Sequence, residues 1–138
     1  MPLPFRKRSF GSVRVYSVDR GEVARAIETL KRSLQKHPEV LAVVLFGSLA
    51  RGDFTVRSDV DLLVVLRACS LPYLERLERY APSSLPLDVD LFVYTVAEIL
   101  QGQPLARTAL QTGKVLWERI PGLVQTLRQG RAPRDLKP

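Results

Sequence analysis

Two aspartates alternate in Asp59-Val60-Asp61, and a second alternating pair appears in Asp88-Val89-Asp90. In an extended strand, residues i and i+2 project to the same side. Asp59 and Asp61 would therefore project together, with Val60 and Leu62 facing the opposite way into a core. Two like charges held this close repel, a cost relieved by a divalent cation between them or by protonation of one. Magnesium prefers hard oxygen ligands, usually one or two carboxylates completed by waters and substrate phosphates. Upstream, the apolar run Val43-Val44-Leu45-Phe46 ends at Gly47-Ser48. A glycine after a buried strand lets backbone N–H groups approach an anion closely, and a serine hydroxyl can donate to a phosphate oxygen. Arg51 is near enough in sequence to reach a polyphosphate. A phosphate cradle beside a divalent-metal site is the equipment of nucleotide transfer.

Each signal has an ordinary structural counterpart. A lone Asp-x-Asp is common on the polar side of an edge strand, and a lone Gly-Ser is a common turn. Their combination tips the reading toward a site. Asp90 is read as its third carboxylate, binding on the side of the attacking group and acting as base toward its hydroxyl. Asp88, beside the Pro86 loop, is read as a strand-end residue. Asp53 is read as a solvated turn former, Arg57 as a surface residue, and Phe92, Tyr94 and Trp117 as core. There is no GxxxxGK[ST] and no GxGxxG, so neither a P-loop nor a Rossmann site is expected. His37 is the only histidine and Cys69 the only cysteine. That argues against a histidine-rich zinc site, a Ser-His-Asp triad and an intrachain disulfide, and it points to a reducing, cytoplasmic setting.

These groups need strands to hold them and helices to cover the strands. Val40–Phe46, Asp59–Leu66 and Leu87–Tyr94 read as core strands, Lys114–Arg119 as a short strand, and Ser12–Val18 as an edge strand. Asp19 with Glu22, and Thr95 with Glu98, are capping-box patterns opening helices. In the first helix Val23, Ala26, Ile27, Leu30 and Leu34 share one face, and Pro38 ends it. Leu74, Leu77 and Tyr80 suggest a helix over 71–81. Pro104 opens another helix that Gly113 closes, and a last one spans Pro121–Gln129. The expected fold class is α/β (α+β), a small mixed β-sheet with flanking helices.

With 138 residues, 46% of them hydrophobic and 25% charged, the chain fits a single soluble domain. The expected organisation is a basic tail over 1–11, one domain over 12–129 and a basic tail over 130–138. No apolar run reaches membrane-span length, and the N-terminus lacks the apolar core of a secretion signal. The net charge is +7, of which residues 1–10 and 128–138 carry +3 each. Solvated ends account for that excess most simply; nucleic acid bound through the tails is the alternative.

At Val44–Leu66 the chain resembles the DNA polymerase β-like nucleotidyltransferase superfamily, and more closely its minimal nucleotidyltransferases (MNT). The family pattern is Gly-Ser, a spacer, then Asp-x-Asp, matched by Gly47-Ser48 and Asp59-Val60-Asp61. Asp90, followed by Leu91-Phe92-Val93-Tyr94, fits the place of the family's third aspartate on a later strand. The resemblance runs over residues 20–120 and implies a polymerase β palm-like fold. It also implies metal-dependent attack on the α-phosphorus of a nucleoside triphosphate, most directly ATP. Asp59 and Asp61 would hold two Mg²⁺ ions, Asp90 would join the nucleophile-side metal, and Gly47 and Ser48 would grip the β- and γ-phosphates.

Larger relatives carry extra domains for the acceptor, for which this chain has no length left. MNT proteins are similar in this respect, and many are paired with a helical HEPN protein, a toxin that the MNT partner adenylylates. The resemblance therefore implies AMP transfer to a hydroxyl on a HEPN-type partner. The alternatives are a non-catalytic antitoxin that masks a partner chain, and a nucleic-acid binder acting through the basic tails. An unpaired edge strand over Ser12–Asp19 would also suit a homo-oligomer.

Overall fold

The computed structural model describes residues 5–10, 13–18, 20–47, 60–81 and 89–134. Its core is a four-stranded sheet of β3 (Val40–Phe46), β4 (Val60–Leu66), β5 (Val89–Thr95) and β6 (Lys114–Glu118), in the spatial order β5-β4-β3-β6. β3 runs antiparallel to both β4 and β6, and β5 runs parallel to β4. The sheet is therefore mixed, as the sequence predicts.

The two central strands explain themselves. β3 is apolar at all seven positions and buried throughout. β4 reads Val-Asp-Leu-Leu-Val-Val-Leu, and Asp61 is its one residue not fully buried. Strands covered on both faces read as continuous apolar runs rather than alternating ones. One face packs Val43, Leu45, Val60, Leu62 and Val64 against helix α1 (Arg20–Gln35), which contributes Val23, Ala26, Leu30 and Leu34. The other packs Val44, Phe46, Leu63 and Val65 against three short helices. These are α3 (Val96–Leu100), α4 (Pro104–Thr112) and α5 (Leu123–Arg128). Burying a leucine such as Leu62 or Leu63, both 0% exposed, stabilises by roughly 1.5–3 kcal/mol. Gly113, between α4 and β6, admits no side chain: a Cβ there would meet Val44 Cγ1 at 2.5 Å and the Leu45 carbonyl oxygen at 2.9 Å.

Two expectations change. Phe5–Phe10, assigned above to a basic tail, forms β1 and pairs antiparallel with β2 (Val13–Val18) in a separate two-stranded sheet. The predicted edge strand over 12–18 thus has its partner in the preceding residues, which basic composition had marked as a tail. β5, read as a core strand, belongs to the main sheet and lies at its edge. Finally, helix α2 (Tyr73–Tyr80) is rotated so that Leu74 is 75% exposed and Arg76 is buried, while Leu77 and Tyr80, the other two residues of its predicted apolar face, pack inward.

Arg76 decides that rotation. Its guanidinium donates to Glu98 Oε1 at 2.6 Å and Oε2 at 3.1 Å, to the Val93 carbonyl at 3.3 Å and to the Leu71 carbonyl at 3.0 Å. A planar fork with several donors can satisfy a bidentate carboxylate and carbonyls together. Glu98 also accepts from the Thr95 backbone N–H at 2.8 Å, and Thr95 Oγ1 accepts from the Glu98 N–H at 3.2 Å. The predicted capping box at Thr95 is thus present and fused to the ion pair. Together these bonds tie α2 and α3 to the end of β5. Among the described residues no helix is long and apolar enough to cross a membrane.

The hydrogen bonds from Arg76 hold the Glu98 carboxyl below its ordinary range. A depressed carboxylate contributes stability above its unfolded value, near 4.5, and loses it as pH falls through the lower folded value. Replacing Glu98 by Gln should cost about 1–2 kcal/mol at pH 7, less than for a fully buried pair because the Glu98 side chain is 37% exposed. In urea titrations the gap between wild type and variant should close as pH drops below 4.5; a gap independent of pH would show that the charge is not what matters.

Candidate functional site

The strand directions bring three chain ends to one lip of the sheet. β3 ends where β4 begins because the two are antiparallel, and β5 begins there because it is parallel to β4. In register, Phe46 pairs with Asp61, and Asp61 pairs with Asp90. Paired residues on adjacent strands share a face, so Asp61 and Asp90 stand side by side on the face that carries Phe46. Asp61 is half-buried and Asp90 is exposed. Two carboxylates from distant parts of the sequence are thus neighbours at the edge of an otherwise apolar face.

Gly47 lies directly against this pair. Its φ of 78° is in the left-handed region that side chains rarely adopt. A Cβ built on it would run into Asp61 Oδ2 and come within 3.2 Å of Asp61 Cγ. The turn after β3 therefore sits on the Asp61 carboxyl, and glycine is needed for the backbone conformation and for the space alike. Below the acids Phe46 and Phe92 meet with ring centroids 5.5 Å apart, giving the lip an apolar floor. On the other face Val60 and Leu62 are both 0% exposed, as the alternation around Asp61 predicts.

A groove of about 360 Å³ opens beside Asp90 along the outer edge of β5. Tyr73, Leu77 and Ala81 of α2 and its end form one wall, and residues 89–92 form the other. The sequence reading missed this groove because it depends on how α2 is rotated. The predicted site residues Ser48, Arg51 and Asp59 lie outside the described residues, as does Asp88. Of the predicted set the structure brings together Gly47, Asp61 and Asp90. Among the described residues no group of three side chains suited to hold a metal is assembled; Asp59, the third carboxylate of the predicted set, is not among them. Asp61 and Asp90 nonetheless supply the hard oxygen donors at one lip that a magnesium-type ion takes.

Comparison with known proteins identifies the family. Residues 28–121, well over half of the chain, match the family model described as polymerase beta, nucleotidyltransferase. A protein of Methanocaldococcus jannaschii named "Putative protein adenylyltransferase MJ1379" is 36% identical over 78 residues, covering 49% of this chain and 77% of the relative. A crystal structure of a toxin-antitoxin with AMP-PNP is 26% identical, with a TM-score of 0.54 over 76% of this chain and 80% of the other. Another, of a mutant of the toxin-antitoxin MntA-HpeT, is 28% identical, with a TM-score of 0.53 over 76% of this chain and 79% of the other. The mixed sheet, the glycine turn seated on Asp61 and the match over residues 28–121 lead to one assignment: the chain belongs to the polymerase β nucleotidyltransferase family.

Proposed function

We propose that this protein transfers a nucleoside monophosphate, most directly AMP from ATP, to a hydroxyl group on a partner protein. The observation that carries the reading is the pairing of Asp61 with Asp90 beneath the Gly47 turn. Triphosphate oxygens would lie against the Gly47-Ser48 backbone and the Ser48 hydroxyl, with Arg51 within reach in sequence. Asp59, Asp61 and Asp90 would hold two divalent ions, most directly Mg²⁺, whose chemistry is to neutralise charge on the phosphoryl oxygens and align the entering and leaving oxygens. Asp90, the more exposed carboxylate, would face the acceptor and take its hydroxyl proton. The new bond joins the acceptor oxygen to the α-phosphorus, the bond to the bridging α–β oxygen breaks, and pyrophosphate leaves.

A protein acceptor is supported by the name of the M. jannaschii relative, a protein adenylyltransferase. The likeness to chains of toxin-antitoxin structures, one of them with AMP-PNP, supports a partner toxin and an adenine nucleotide. A helical HEPN-type partner is the acceptor that the minimal nucleotidyltransferase resemblance points to.

The nucleotide site is tested by melting. ATP with Mg²⁺ at about 100 times its Kd should stabilise the protein by about 2.7 kcal/mol, a rise of several degrees in Tm. Asp61→Asn should lose the Mg²⁺-dependent part of that rise; an unchanged rise would remove Asp61 from the site. Gly47→Ala should cost about 1–3 kcal/mol from the backbone at positive φ. It should also reduce AMP transfer about 100-fold by displacing the Asp61 carboxyl, measured as label from α-phosphorus-labelled ATP on a HEPN-type partner protein. Transfer that survives Gly47→Ala at full rate would separate the turn from the chemistry. ATP binding without label on the partner would favour the masking antitoxin.

A further inference from the structure

Among the described residues, the outer edge of β5 is closed along part of its length and open beside Asp90. The Val93 N–H donates to the Tyr73 hydroxyl at 3.4 Å, and the Val93 carbonyl accepts from Arg76 at 3.3 Å. The Thr95 N–H, two residues on, donates to Glu98. Outward-pointing peptide groups recur at every second residue of a strand, so those of Val89 and Leu91 point the same way as those of Val93 and Thr95. Among the described residues, no hydrogen bond is made to the outward N–H and C=O of Val89 and Leu91. These two residues flank Asp90. The 360 Å³ groove lies against them, with Tyr73, Leu77 and Ala81 as its far wall.

Natural sheets usually cover or blunt their edges, because an open edge recruits another strand. Here side chains of α2 and α3 seal the far half, and no described residue hydrogen-bonds to the half beside the carboxylate. The ligand matched to alternating free N–H and C=O groups is an extended polypeptide backbone, and a groove with apolar walls accepts its alternate side chains.

We infer that the acceptor binds as an extended polypeptide segment added to β5 at Val89–Leu91. This deepens the proposed function and rests on it. Backbone pairing also selects the reacting residue. A residue paired opposite Asp90 lies on the same face as Asp90, with Cβ atoms about 4.5–5.5 Å apart. A serine, threonine or tyrosine there brings its hydroxyl to the Asp90 carboxylate. Specificity then comes partly from main chain, and the acceptor segment is a terminus or loop of the partner rather than the middle of one of its helices.

The test uses an array of seven-residue peptides with Ser, Thr or Tyr at the centre and randomised flanks, supplied with α-labelled ATP and Mg²⁺. Label should appear on a subset of peptides. N-methylation of the backbone amides of a labelled peptide, one at a time, should reduce labelling at least tenfold at alternate positions and leave the intervening ones unaffected. In the protein, Leu91→Pro removes the outward N–H and leaves the β4 ladder intact, since proline is tolerated on edge strands where its nitrogen faces away from the sheet. It should reduce peptide labelling at least tenfold and preserve the ATP-dependent rise in Tm. If Leu91→Pro does not fold, the N-methyl series decides alone, because it leaves the protein untouched. Uniform tolerance of N-methylation, or labelling of a HEPN-type partner but of no peptide, overturns the edge-docking inference and leaves the transferase reading standing. Absence of both labelling and any ATP-dependent rise overturns the transferase reading, and the inference with it.

Discussion

The site depends on one close contact, the Asp61 carboxyl against the Cα of Gly47. Asp61 is the only charged residue of β4, whose other six positions are fully buried. A carboxylate in such a strand cannot sit at its middle without losing its hydration, a loss far larger than a single hydrogen bond returns. It is tolerated at the strand end, where one side meets water and the other meets a turn that has given up its side chain. With a Cβ on residue 47 the carboxyl would have to turn away from the lip or the turn would have to lift. Either movement separates the acid from the backbone proposed to hold phosphate.

From that contact the rest of the sheet follows as support. β3 and β4 must be held in register, because a slip of one residue would turn Asp61 to the α1 face and present Leu62 at the lip. The uninterrupted apolar faces of both strands, packed on two sides, make that slip costly. The parallel pairing of β5 is held at its far end by Arg76 and Glu98, which fix α2 and α3 to the strand. The ion pair thus acts at the end of β5 opposite Asp90, fixing the strand away from the lip.

Much of this was readable beforehand, for physical reasons. β3 and β4 announce themselves as long apolar runs, and the box at Thr95 and Glu98 and the proline–glycine limits of α4 are local signals that the packing does not override. The pairing of Asp61 with Asp90 was half-readable: alternation gives each acid its face, but only the parallel register makes them neighbours. Two features were hidden because they depend on distant partners. Leu74 looks like core and Arg76 like surface until Glu98, which lies 22 residues later in the chain, supplies a carboxylate. Phe5–Phe10 looks like a tail by charge until its register with Val13–Val18 is seen. Ser48, Arg51 and Asp59 rest on motif alone, since they fall outside the described residues.

The strand order adds an argument that composition and motif do not contain. Across the lip the sequence is Gly47 at the end of β3, Asp61 on β4 and Asp90 on β5, each one strand from the next. At about 4.8 Å per strand, the turn and the outer carboxylate stand about 10 Å apart with Asp61 between them. Transfer at phosphorus places the entering and leaving oxygens roughly in line on opposite sides of the reacting atom. On the proposed reading the leaving pyrophosphate belongs to the Gly47 side and the entering hydroxyl to the Asp90 side, so the line of attack runs across the strands over Asp61. The acceptor must then approach from beyond β5, the side on which no described strand pairs with the sheet. The same pleated ladder that buries the core thus sets the direction of the reaction, and β5 has to be an edge strand for an acceptor to reach it at all.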